Sequence, residues 1–258
     1  MLDAERQDRI HVLWDELSAF AASQTDAALE HLLDGVARLV GAENAYWVGA
    51  VREAEDAADP LRGWRLRGLR YLRPLPNDDT FTRDRLREID RGVHDESTVA
   101  HVRQAGRYRA NRLCDLVGPA WFGSARYRGY VERGVYDSLA VGAPVSTRVE
   151  GYYGFLRMRP GEPFTEADRV TALYALRGLT WFHREVLLAH GLLVARTPLT
   201  PTERQVLALL LTDQSEKSIA TTLGVSPSSI HTYVRDVVRK FGVSGRKGLT
   251  SLWLGRPR

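Results

Sequence analysis

LTPTERQVLALLLTDQSEKSIATTLGVSPSSIHTYVRDVVRKFGVSGRKGLTSLWLG, from Leu199 to Gly255, parses into four short helices, each with its own start and stop signals. Thr200 precedes Pro201 and stands three residues before Glu203. That is the order of a capping box with proline at the first helical position. Val206, Leu207 and Leu210 then recur at helical spacing. Ser215 is placed to cap the second helix, whose apolar stripe reads Ile219, Ala220 and Leu223, and Gly224 suits the left-handed residue that ends it. Ser226 and Pro227 open the third, along which Ile230, Val234, Val237 and Phe241 share a face as far as Gly242. Ser244 opens the fourth, which carries Leu249, Leu252 and Trp253.

A turn of about three to four residues containing glycine separates the second and third helices, the spacing of a helix-turn-helix. Ala220 is small enough for the two helices to cross closely. The third helix has a second face, with His231, Thr232, Arg235 and Arg239. Basic groups for phosphates and polar groups for base edges suit it to the major groove of double-stranded DNA. Ser228, Ser229, Lys240 and, on the second helix, Lys217 complete the expected DNA-contacting set.

These residues resemble the LuxR/GerE-type helix-turn-helix family. The motifs are LTPTE, VLALL, S-x-K-x-IA-xx-LGVS, SSI-H-x-Y and RKFGVSGR, over Leu199 to about Leu252. Four positions depart from the family pattern: Thr202 for Arg, His231 for Lys, Tyr233 for His and Phe241 for Leu. Only His231 lies on the reading face, so the departure touches sequence preference rather than fold. The resemblance implies a third helix in the groove, a fourth helix supplying much of a dimer contact, and a homodimer on a promoter inverted repeat.

Charge is divided along the chain. From Arg196 onward there are ten Lys and Arg against four Asp and Glu, a net of +6, whereas the preceding residues carry a net of −2. A basic tail on a slightly acidic body fits a nucleic-acid-binding module joined to something else. An apolar fraction of 44% in 258 residues is globular and leaves room for two domains. A single cysteine, Cys114, excludes an internal disulfide and a multi-cysteine metal site. MLDAERQDRI lacks a signal-peptide core, and the apolar run near Val186–Ala195 is too short to span a bilayer, so a cytoplasmic protein that does not enter membranes is expected. Of 36 basic residues 33 are Arg, and no Lys precedes Lys217, which argues against a phosphorelay receiver.

The body before the tail alternates helical and strand patterns. Ile10, Leu13, Trp14, Leu17 and Phe20 predict one helix, and Ala28 to Leu39 a second that ends at Gly41. Strands are predicted over Asn44–Val51 and Trp64–Leu72, then helix over Thr80–Ala105 in two pieces broken near Gly92. A short strand at Tyr108–Leu113 and a short helix over Pro119–Gly134 follow. A hairpin joins Ser138–Val145 to Tyr152–Met158 around Val149–Gly151, and one long helix is predicted over Phe164–Leu193. That order is an α+β sandwich, an antiparallel sheet with helices on both faces, followed by the all-α four-helix tail. SLAVGAPV followed by EGYYGFLRMRPGEPFTEADRV resembles the GAF sensor pattern. The implied organisation is a GAF-like sensor or dimerisation domain at 1–190, a linker at 191–198 and the DNA-binding domain at 199–258, with Pro198 ending the long helix.

A GAF-like fold holds its ligand between a sheet face and short helices. Trp121, Phe122, Tyr127, Tyr130, Trp47 and Trp64 are the aromatic candidates, with Arg112 as an anchor for an anionic or carbonyl group. The same aromatics also suit ordinary core packing. The Trp/Tyr/Asp-Pro pattern of acyl-homoserine-lactone-binding relatives is absent. No HExxH, nucleophile elbow or P-loop is present, so neither an enzyme nor a resident cofactor or metal is expected, and His94, Asp95, Glu96 and His101 read as a polar helix start. Two readings stay open: a small-molecule-responsive regulator, or one whose N-terminal body only dimerises or docks a protein.

Overall fold

Helix α1, Ala4–Ser18, buries Ile10, Leu13 and Leu17, and α2, Thr25–Val40, buries Leu29, Leu32, Leu33 and Val36. The computed structural model describes residues 2–76, 87–92, 94–195 and 197–255. A five-stranded antiparallel sheet follows from β1 (Asn44–Arg52), β2 (Trp64–Tyr71), β3 (Arg109–Arg112), β4 (Val135–Ser146) and β5 (Val149–Met158), in the order β2-β1-β5-β4-β3. Between β2 and β3 lie a helical turn at 87–90 and α3, Glu96–Val102. Asp95 caps α3 by accepting from the Ser97 and Thr98 amides. The part of the predicted helix at 80–86 lies outside the described residues.

After β3 come α4 (Leu113–Leu116), a 3-10 turn at Pro119–Gly123, and α5 (Ala125–Glu132), which is capped by the Ser124 hydroxyl. The expected single helix over Pro119–Gly134 is therefore two pieces, because Ser124 is extended and starts a new one. The β4–β5 hairpin also differs from its prediction. The strands run on to Ser146 and resume at Val149, so the turn is Thr147–Arg148, and Gly151 lies within β5. A Cβ at Gly151 would lie 3.2 Å from the Trp47 indole nitrogen, so that glycine serves a close approach and not a bend.

The long C-terminal helix of the body is two helices, α6 (Glu166–Arg177) and α7 (Thr180–Ala189). Thr165 and Asp168 form the capping box at its start, as the sequence suggests. The break falls at Gly178, where a Cβ would lie 2.5 Å from the Trp14 ring. The Trp14 indole N–H donates to the Ala175 carbonyl at 2.8 Å, fixing α1 on α6.

The chain then forms α8 (Pro201–Leu210), α9 (Glu216–Leu223), α10 (Pro227–Phe241) and α11 (Gly245–Trp253). Two compact units result. One takes the residues up to Asp15 with Glu30–Thr180, and the other takes Glu16–Leu29 with the chain from Trp181 onward. In the second unit Leu188, near the end of α7, belongs to the same apolar cluster as Val206, Ile219, Ile230 and Phe241. Between α7 and α8 the Leu199 amide donates to the His190 carbonyl at 3.1 Å, and Gly191 has a φ of 71°. Among the described residues no helix is long and apolar enough to cross a membrane.

Candidate functional site

The helix-turn-helix is built by caps that its sequence dictates. Thr200 and Glu203 close the capping box of α8, Ser215 accepts from the Ser218 amide to start α9, and Ser226 accepts from the Ser229 amide to start α10. Gly224 and Gly242 end α9 and α10 with φ of 65° and 61°, the left-handed region that glycine enters without a Cβ penalty. Ser244 differs: it has no side-chain cap bond, and Gly245 after it has a φ of 69°.

Ile230, Val237 and Phe241 bury one face of α10, leaving Ser228, His231, Thr232, Arg235 and Arg239 exposed and Ser229 half-buried. Arg239 pairs with Asp236 at 2.8 Å and His231 with Glu216 of α9 at 3.2 Å, while the Thr232 hydroxyl donates to the Ser228 carbonyl. Lys217 is exposed on α9. Lys240 is turned away from this face. Its ammonium donates to Glu203 at 2.7 Å and to the Pro198 carbonyl at 3.0 Å, tying the end of α10 to the start of α8. Burial raises the Glu203 pKa, and hydrogen bonds from Lys240 and Thr200 outweigh it, so the carboxyl ends below its ordinary value. On α11, Leu249 and Leu252 are buried in the unit's own core and Trp253 packs edge-on to Phe241. The outer side of that helix shows Lys247, Thr250 and Leu254 instead.

In the other unit a cavity of about 180 Å³ opens on one face of the sheet. Strand register decides which side chains reach it. Tyr46 and Val48 pair with Gly154 and Tyr152, and these four share the cavity face, as do Ser138 and Ala140 of β4. Trp47 pairs with Tyr153 and lies on the opposite face, fully buried. Gly154 leaves space for the Tyr46 ring, since a Cβ there would lie 2.1 Å from it. Ser97, Thr98, His101 and Val102 of α3, Leu113 and Leu116 of α4, and Arg126 and Tyr130 of α5 close the cavity.

Of the aromatics expected at a ligand, Trp64 and Tyr130 line this space. Trp121 sits 5.7 Å edge-on behind Tyr130, and Phe122 and Tyr127 pack on Trp121 in turn. Phe122 is 43% exposed, and the Tyr127 hydroxyl accepts from Arg159 at 2.7 Å. Arg112 is engaged with the Asp115 carboxylate at 2.7 Å, outside the cavity lining. Among the described residues no group of three His, Cys, Asp or Glu is placed to hold a metal ion; Asp95 is spent on the α3 cap.

Residues 197–253 match the family of bacterial regulatory proteins, luxR family. The C-terminal unit thus carries a luxR-family helix-turn-helix. Over 52 residues, 20% of this chain, the sequence is 38% identical to the transcriptional regulatory protein MctR of Rhizobium johnstonii, and the match spans 24% of that protein. Among solved structures, SdiA in complex with octanoyl-rac-glycerol aligns over 100% of both chains at 11% identity, with a TM-score of 0.48. The VqsR LBD domain from Pseudomonas aeruginosa aligns over 72% of this chain and 97% of its own at 10% identity, with a TM-score of 0.47.

Two residues to which the sequence reading gave no site role hold the geometry together. Arg246, at the start of α11, donates from Nε to the Leu210 carbonyl at 2.7 Å, from Nη1 to the Gln214 carbonyl at 2.6 Å, and from Nη2 to the Thr212 carbonyl. A cation on the last carbonyl of α8 and on two carbonyls of the turn after it answers their missing partners and the helix dipole. His101 is the second. Burial, and then the charge of Arg109, hold its pKa down to about 3. Its neighbours are Arg109 and Asn111 of β3 and the Tyr152 ring of β5, 4.9 Å away. An unfolded histidine protonates near 6.5, so as pH falls through 6.5 the unfolded chain gains a proton that the folded chain refuses. The stability that neutral His101 confers is fully present above pH 6.5 and is lost on the way down toward about 3. Urea unfolding of the full chain is expected to lose about 1.4 kcal/mol per pH unit from this group once pH is below about 5.5. His101→Phe should remove that component of the slope; an identical slope in the variant would disprove the assignment.

Proposed function

We propose that this chain is a one-component DNA-binding transcriptional regulator whose N-terminal residues sense a small molecule. The organisation is a GAF-like sensor at 1–190, a linker at 191–198 and a reader at 199–258. The observation that carries the reading is the divided α10. Its apolar side is consumed by the core, and its other side offers His231, Thr232 and Arg235 near the helix start and Arg239 a turn later. Base edges are read from the start of a recognition helix, and phosphates from flanking cations. Two copies on an inverted repeat would pair through a surface other than Leu249 and Leu252, which are already buried.

Gel-shift titrations with the full chain should show an affinity falling on the order of 10³-fold between about 50 and 200 mM salt, if six phosphates are neutralised per dimer. Arg235→Ala and Thr232→Ala are expected to change the motif recovered from a randomised-site selection, at about 1–3 kcal/mol for a lost bidentate base contact. Arg239→Ala should weaken all sites alike. A salt-independent affinity, or an unchanged motif in both early-helix variants, would sink the reading.

The cavity supports an effector, with walls of aromatic and aliphatic side chains and a few polar groups, the usual composition of a ligand site. Its size favours a second reading, a ligand-independent dimerisation or docking unit, because about 180 Å³ is below the roughly 300 Å³ at which drug-sized sites begin. Native mass spectrometry of the chain purified from its host separates the two. A co-purified small molecule lost on Ala140→Leu supports the effector, and a bare protein of normal activity supports docking.

A further inference from the structure

We infer that His231 selects one base of the DNA site through Nε2, and that Glu216 sets which base by holding a proton on Nδ1. With the ring neutral, Nε2 accepts from the amino group of cytosine or adenine; with the ring protonated, it donates to guanine. This preference rests on the reading of α10 as the helix that enters the major groove, and adds to it a dependence on pH.

His231 lies one turn into α10, which begins at Pro227, and its side chain is 73% exposed. Its Nδ1 is 3.2 Å from Oε2 of Glu216, the first residue of α9. A carboxylate only accepts, so the hydrogen between the two belongs to Nδ1. In a neutral imidazole the partner of one nitrogen decides the role of the other, and Nε2 is then left with its lone pair. Protonation adds a hydrogen to Nε2 and leaves the Nδ1 bond to Glu216 in place. The ring keeps its position while its outer nitrogen changes from acceptor to donor. The helix starts that bring the pair together are both capped, α9 by Ser215 and α10 by Ser226. The other charged groups beside the ring are Lys217, next to Glu216 on α9, and Arg235, four residues further along α10. Glu216 is a counter-charge for the imidazolium, and the two cations are like charges.

The base edges distinguish these two states. In the major groove cytosine presents an amino donor, adenine an amino donor beside the N7 acceptor, and guanine the acceptors N7 and O6. A lone pair on Nε2 matches the amino groups and meets other lone pairs at guanine. An Nε2–H on a charged ring reverses both statements. A lysine at the same position has three donors and no acceptor, so it can make only the second kind of contact, at any pH. The pairing of His231 with Glu216 therefore gives α10 a contact that lysine cannot make.

Randomised-site selections with the full chain at about pH 8 and about pH 5.5, on either side of the ordinary histidine value near 6.5, test this on the wild type, His231→Lys and Glu216→Gln. Both substituted residues are exposed and lie outside the apolar core of their unit. In the wild type, one position of the motif should favour cytosine or adenine over guanine by about fivefold at the higher pH, and guanine by a similar factor at the lower. His231→Lys should give guanine at that position at both values. Glu216→Gln should reduce the preference at the higher pH to less than about twofold, since an amide can donate to Nδ1 as well as accept from it. Spectra of ¹⁵N-histidine-labelled protein at the higher pH supply a readout without DNA. The resonances that disappear in His231→Lys should place the proton on Nδ1 in the wild type, and Glu216→Gln should lose that bias. A wild-type motif identical at both pH values, or a His231→Lys motif that keeps cytosine or adenine, would overturn the role of His231 and leave α10 as the reading helix. A proton on Nε2 in the wild type at the higher pH would overturn the part given to Glu216. Recovery of no motif at all would remove the reading of α10, and this preference with it.

Discussion

Arg109→Met is expected to lower the unfolding free energy of the sheet unit by about 3–5 kcal/mol, the usual cost of leaving one charge of a buried pair without its partner. Arg109 is 5% exposed and Glu150 is fully buried, and Nη2 of the arginine lies 2.7 Å from the carboxylate. The same nitrogen donates to the Tyr152 hydroxyl at 2.9 Å, Nε donates to the His101 carbonyl, and Glu150 also accepts from the Gly106 amide. Gly142 gives the guanidinium its place, since a Cβ there would lie 2.5 Å from Cζ. The pair therefore joins α3, β3 and β5 beneath the cavity. Denaturant midpoints of the full chain measure the loss. Arg109→Met with Glu150→Leu should recover much of it, because removing both charges leaves no orphan. A double variant as unstable as the single one would show that packing around Arg109, and not the stranded carboxylate, is what matters.

What could be read from the sequence follows the range of each interaction. The caps at Thr200, Ser215 and Ser226 and the glycine stops at Gly224 and Gly242 depend on residues three or four apart, so the helix-turn-helix and its exposed face are written locally. The strands of the body were equally plain, as runs of apolar residues between turn formers. Register was not. Trp47 looked like a cavity aromatic, yet its pairing with Tyr153 puts it on the other face, and a shift of one residue in β1 would have reversed that. Lys240 read as one more cation on α10, and only the approach of Glu203 from 37 residues earlier makes it an internal tie. Gly151 and Gly178 read as a turn and as nothing. Both exist because a tryptophan from a distant segment, Trp47 or Trp14, comes too close for a side chain. His101 was visible only as a polar residue near other polar residues.

Arg246→Ala should have the second-largest effect, and its consequences should fall on DNA binding. The guanidinium donates to the carbonyls of Leu210, Thr212 and Gln214, across the end of α8 and the turn that leads into α9. That turn delivers Ser215, the cap of α9, and α9 in turn sets the angle at which α10 is presented. Hydrogen bonds to a charged donor contribute about 1.5–3 kcal/mol each and are not additive, so a loss of about 3 kcal/mol is expected. Because the unit is small, that loss should both lower its melting temperature and weaken binding to every DNA sequence, with no change in the motif selected. Arg246→Lys is the discriminating control. It keeps the charge near the helix end and loses the fork, since a single ammonium cannot reach three carbonyls in that geometry. If lysine restores stability fully, the dipole of α8 is the dominant partner. If it restores little, the three-point clamp is. Wild-type stability and affinity in Arg246→Ala would mean that the carbonyls are as well served by water, and that α11 is held only through Leu249 and Leu252.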